Sequence, residues 1–117
     1  MTKKEILEEA KLSMPEGWFL NFGERMVDEL CEILGDDIEK YEILQIKEKF
    51  GELRWYAGFD DCEPLPPEYY DWLNYWEEYS AHCCWQCGAP AEIRYEDSWY
   101  LPWCDDCYAE HKEVMEE

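Results

Sequence analysis

The sequence predicts an α+β fold, in which N-terminal helices pack on a β-hairpin and a small cysteine-stapled module follows. Three observations carry this. Apolar residues recur at helical three- and four-residue intervals through the first 34 positions. The period changes to that of strands around a tight glycine turn near residue 51. Two C-x2-C pairs then occupy the last third of the chain. At 117 residues there is room for one domain and a small stapled module, and not for two ordinary domains.

Taken in order, residues 3–13 read as a short helix with Ile6, Leu7, Ala10 and Met14 along one side. Pro15-Glu16-Gly17 reads as a break. A second helix is expected from Trp18 to Leu34, carrying Phe19, Phe22, Met26, Leu30, Ile33 and Leu34 on its apolar face, with Gly35 as its C-terminal stop. Residues 41–58 read as a β-hairpin turning at Gly51, with Gly58 ending its second strand. Pro64, Pro66 and Pro67 then mark a boundary, and Glu68 to Ala81 reads as a helix. Trp72, Leu73, Trp76 and Tyr79 form its expected buried stripe, with Asp71, Glu77 and Glu78 outside. This divides the chain into 1–58 (helical pair and hairpin), 59–81 (Pro-rich loop and acidic aromatic helix) and 82–117 (the cysteine module).

Thirty Asp and Glu against ten Lys and Arg leave a formal charge of −20. Such a chain lacks the cations whose exchange for counterions drives phosphate binding, which argues against direct contact with DNA, RNA or an anionic membrane surface. The balance is uneven. Residues 1–54 hold 14 acids and 8 bases, whereas residues 55–117 hold 16 acids and only Arg94 and Lys112. Acidity serves solubility, but a one-signed field also repels itself, and its retention points to a basic partner. No run of about 18 apolar residues and no export signal is visible, so the expectation is a soluble protein of a reducing cytoplasm. A monomer is expected.

Cys84-Trp85-Gln86-Cys87-Gly88 and Cys104-Asp105-Asp106-Cys107 are separated by sixteen residues, within the spacing of a four-thiolate zinc site. Two residues between sulfurs let one turn present both to one ion, and Gly88 can take the positive φ that such a knuckle needs. The candidate ligands are Cys84, Cys87, Cys104 and Cys107, for one structural Zn2+. Cys83 offers a rival three-residue spacing to Cys87, and His82 or His111 stands as a fourth ligand should a Cys be excluded. Between the pairs, a strand from Glu92 to Glu96 and an Asp97-Ser98 turn leave room for a hairpin, and a helix is expected after Cys104. Knuckle, hairpin and helix in this order resemble the treble-clef zinc finger. Cys31 and Cys62 have no partner at ligand spacing. No nucleophile elbow, phosphate loop or HExxH is present, so the reading is a binding protein and not an enzyme.

The stretch Lys47-Glu48-Lys49-Phe50-Gly51-Glu52-Leu53-Arg54-Trp55-Tyr56, followed by CxxCG and CxxC, resembles small acidic phage and prophage proteins. The resemblance implies a mobile-element protein acting in a bacterial host. Small size, acidity and abundant Trp and Tyr also make the chain similar to type II-A anti-CRISPR proteins. That likeness implies an inhibitor of a host nuclease such as Cas9, which holds nucleic acid in a basic channel. Asp60, Asp61, Glu63, Glu68, Asp71, Glu77 and Glu78, in a stretch without bases, are the candidate partner-binding residues. A zinc-stabilised interaction adaptor without inhibitory role is the alternative.

Overall fold

The computed structural model describes residues 1–116. Helix α1 (Lys3–Ser13) opens on a capping box, in which the Thr2 hydroxyl accepts from the Glu5 N–H and the Glu5 carboxylate accepts from the Thr2 N–H. It buries Ile6 and Ala10. The second helical run begins two residues earlier than the sequence suggests. Helix α2 (Glu16–Trp18) passes through a π-helical segment, Phe19–Gly23, into α3 (Glu24–Leu34). Gly17 therefore sits inside a helical turn instead of breaking one. The widened segment accompanies the burial of Trp18 and Phe22, and Trp18 was absent from the expected apolar face. Gly35, at φ +52°, ends α3, and a 3-10 turn (Gly35–Lys40) leads into the sheet.

Strands β1 (Tyr41–Lys49) and β2 (Glu52–Phe59) form an antiparallel hairpin. Phe50 and Gly51 both have positive φ, 55° and 87°, as a two-residue turn matched to strand twist requires. Leu44 lies in a register shift between Ile43 and Gln45 and is exposed. Helix α4 (Pro67–Ser80) starts on Pro67, where the missing N–H has no cost. It packs against β2 and α3 and buries Tyr69, Trp72 and Trp76. Leu73 and Tyr79 are only half-buried.

Two contacts join α4 to the free edge of β2. The Leu53 N–H donates to Ser80 Oγ at 2.8 Å, and the Trp55 N–H donates to Glu77 Oε2 at 3.3 Å. Helical side chains thereby satisfy backbone donors that an edge strand would otherwise leave open to another chain. Glu77 is thus not on the outer face as its position in the sequence suggests. Burial pushes its carboxyl above the usual range, partly offset by the Trp55 N–H and Arg54. The second hairpin, β3 (Glu92–Glu96) and β4 (Trp99–Trp103), precedes α5 (Asp105–Glu116). Among the described residues no helix is long and apolar enough to cross a membrane.

The core is aromatic, and its polar ends are satisfied. Trp72 Nε1 donates to the Met26 carbonyl at 2.8 Å, and Trp76 Nε1 donates to Glu29 at 2.7 Å. Beneath the hairpin, Trp55 Nε1 donates to Tyr41 Oη at 2.8 Å, and Tyr41 and Tyr69 share a 2.7 Å bond. The Tyr41 oxygen accepts from Trp55, and either phenol can donate to the other in the Tyr41–Tyr69 bond. Burial raises both phenols, Tyr69 to about 12 and Tyr41 further still.

Tyr41→Phe strands the Trp55 donor and removes the Tyr69 partner, so it is expected to cost about 1–3 kcal/mol in denaturant unfolding. Tyr69→Phe breaks one bond instead of two and costs less. A raised folded-state pKa makes its stability contribution fully present below the unfolded value and lost above it. Stability should therefore fall from about pH 10 upward, and Tyr41→Phe should flatten that slope.

Candidate metal centre

The knuckle at residues 84–88 is built by backbone hydrogen bonds. The Cys84 N–H donates to the Ala89 carbonyl at 2.8 Å, and the Gly88 N–H returns to the Cys84 carbonyl at 3.0 Å. Gly88 closes the turn at φ +86°. The Trp85 N–H donates to the Pro102 carbonyl at 3.0 Å, tying the knuckle to β4. That strand delivers Cys104 at its end, and the first turn of α5 carries Cys107.

The sulfurs of Cys84, Cys87, Cys104 and Cys107 all lie within 4.8 Å of one another, and Cys87 and Cys104 are 3.5 Å apart. Tetrahedral thiolates at metal bonds of about 2.3 Å stand about 3.8 Å apart, so the spacing fits one ion. Without an ion the surroundings favour the thiolate at Cys84 alone, while burial and then the neighbouring sulfurs push Cys107 up, and Cys87 is also raised. The Cys107 N–H points at Cys104 Sγ, 3.4 Å away. Burial opposes ionisation of Cys84, but the N–H groups of Cys104, Cys87 and Gln86 outweigh it and bring this thiol down to about 7. Four closed thiolate positions make such a centre structural and leave no site for a substrate.

Cys83 lies outside the group. It is buried, its sulfur 3.5 Å from the Gly88 carbonyl, and burial, followed by the charges of Cys84 and Cys87, pushes its thiol up to about 12. The histidine alternatives are not realised either. His82 faces Glu92 at 3.4 Å, and His111 stacks on Trp103 with ring centroids 4.7 Å apart.

The knuckle is clamped to the N-terminal helices. The Gly17 N–H donates to the Trp85 carbonyl at 2.9 Å, Trp18 Nε1 to the Cys83 carbonyl at 2.8 Å, and Asn21 Nδ2 to the Gly88 carbonyl at 2.5 Å. A Cβ on Gly17 would come within 2.7 Å of the Cys87 and Gly88 nitrogens, and one on Gly88 within 2.7 Å of the Gly17 carbonyl oxygen. No side chain fits between these backbones. The clamp escaped sequence reading, because a Pro-Glu-Gly string looks like a break wherever it stands.

The predicted acidic residues occupy two places. Asp60, Asp61 and Glu63 lie in the exposed loop after β2. Asp61 is held below its ordinary range by the Glu63 N–H and then by Lys40, whose ammonium is 3.1 Å away. On α4, Glu68, Asp71 and Glu78 are exposed in one stripe with Tyr75, whereas Glu77 turns inward to β2.

Cys84→Ser is expected to lose the bound metal and Cys83→Ser to keep it, as read by metal analysis of protein purified without chelator. Retention by the first and loss by the second would assign the wrong sulfur. Compared with family models, with curated proteins and with solved structures, the chain matches none.

Proposed function

We propose that this protein is a zinc-stapled binding protein that inhibits a host nucleic-acid-handling nuclease, a Cas9-type effector being the leading candidate, by filling a basic channel with carboxylates. The observation that carries the reading is charge on an elongated body. The molecule measures 51 × 22 × 20 Å, and twenty net negative charges along 51 Å amount to about one per 2.6 Å. Duplex DNA carries about one per 1.7 Å of axis. Lys/Arg surfaces that expect phosphates meet a comparable density here. Half of the bases are already consumed internally: Lys3, Lys40, Arg54, Arg94 and Lys112 all pair with carboxylates. Zinc, the ion best suited to four thiolates in a tetrahedron, adds to the acidity, because four thiolates around a divalent ion leave about −2.

Contact residues on this reading are Glu68, Asp71 and Glu78 of α4, joined by Asp60 and Glu63. Tyr70 and Tyr75 are exposed on the same helix, and exposed aromatics of this kind anchor interfaces. The resemblance of the Lys47–Tyr56 hairpin to phage proteins supports a target in a bacterial host. Long-range attraction would speed encounter and weaken with salt.

The test is binding and inhibition of Cas9 orthologues at near-stoichiometric amounts. Lysine substitution of Glu68, Asp71 and Glu78 together should abolish both while leaving metal content and melting behaviour intact. Glu77 is left in place because it holds β2. Inhibition by the triple variant equal to that of the parent would remove α4 from the interface, and an absence of binding to any orthologue would favour the adaptor reading.

A further inference from the structure

The tip of the first hairpin, the knuckle, the second hairpin and α5 line a half-open cavity of about 520 Å³. Its walls are aromatic. Trp85 and Trp103 meet edge to face at 5.4 Å, Trp103 is backed by His111, and Trp99 stands at the rim with 63% of its surface exposed. The remaining lining includes Glu48, Glu96 and Asp97. Glu96 is committed to Lys112 and Tyr108. Asp97 has no ion pair among the described residues, and Glu48 uses one oxygen for the Gly51 N–H at 2.9 Å. Two carboxylates are therefore free to face a cation beside three indoles.

One further polar group lacks a partner. Trp85 Nε1 is shielded from solvent and has no acceptor among the described residues. A buried indole N–H without an acceptor is uncommon, because its desolvation goes uncompensated. Closed off from solvent, that nitrogen is closed off equally from a group in the cavity, so the ligand is defined by the open lining: a cation for indole faces and carboxylates.

We propose that this cavity binds an arginine side chain of the protein partner, with the guanidinium between Trp99 and the carboxylates of Glu48 and Asp97. Guanidinium is favoured over ammonium because it is planar, stacks on aromatic faces and is less strongly hydrated. The assignment rests on the reading that the partner is a basic protein, and it names the point at which that partner is gripped. Phe50, Tyr95 and Tyr100 are exposed on the other face of the second hairpin, away from this lining.

The probe is acetyl-arginine methylamide, titrated into the full metal-loaded chain while the indole N–H signals are followed by NMR. Saturable shifts are expected at Trp85, Trp99 and Trp103, with those of Trp18, Trp55 and Trp72 unmoved as reporters of an intact fold. Capped citrulline, equal in shape and neutral, should give no saturable shift. Glu48→Gln with Asp97→Asn should weaken arginine binding about fivefold or more. Equal shifts with citrulline, tighter binding of capped lysine, indifference to the double substitution, or no saturation at all would each overturn the assignment. The nuclease is not used in this experiment, so such a result leaves the acidic-face reading to its own test.

Discussion

The backbones of Gly17 and of the knuckle from Cys84 to Gly88 approach so closely that neither glycine can accept a Cβ, and the two halves of the molecule are fastened there. Three hydrogen bonds cross the contact, from Gly17, Trp18 and Asn21. Two of them end on carbonyls that flank Cys84, those of Cys83 and Trp85. Any movement of the thiolates is therefore felt by the helical core, and the core in turn restricts the turn that presents them. A four-thiolate centre at this place acts on more than its own hairpin.

This coupling bears on how so acidic a chain stays folded. Self-repulsion among carboxylates acts across the whole surface, and the opposing forces are concentrated in a few places. Trp72 and Trp76 bind α4 to α3 through their indole N–H groups, and Trp76 also stacks on Phe22 of the π-helical segment. Ser80 and Glu77 bind the same helix to β2. Tyr41, Tyr69 and Trp55 form a closed polar chain under the hairpin. Each contact joins elements distant in sequence, so the exposed acids of α4 ride on a helix held by both α3 and the first hairpin.

Much of this is legible in the amino-acid order, and the reasons differ by element. The helix at 3–13, the second helical run expected from Trp18 to Leu34 (apart from its π-helical start), the turn at Gly51 and the knuckle–hairpin–helix order follow from local rules of periodicity, turn chemistry and cysteine spacing. Gly17, Glu77 and Trp85 were read differently or passed over because their roles are set by what packs against them. A glycine chosen for close approach is indistinguishable in sequence from one chosen to end a helix. An outward-looking glutamate becomes a strand-edge acceptor only when β2 lies beside it. The cavity lined by Trp85, Trp99 and Trp103 draws on four separate segments, and no single stretch announces it. Choosing Cys84 over Cys83 rested on two-residue spacing, and the structure places Cys84 in the sulfur group and Cys83 outside it.

Hydrogen exchange of the metal-loaded protein and of the same protein after chelation tests the coupling most directly. If the knuckle is the fastening point, chelation should accelerate amide exchange at Glu16–Gly23 together with residues 84–107, since the N-terminal turn loses its seat when the thiolates separate. Acceleration confined to residues 84–107, with Gly17 and its neighbours as protected as before, would contradict the account and leave the module as an appendage.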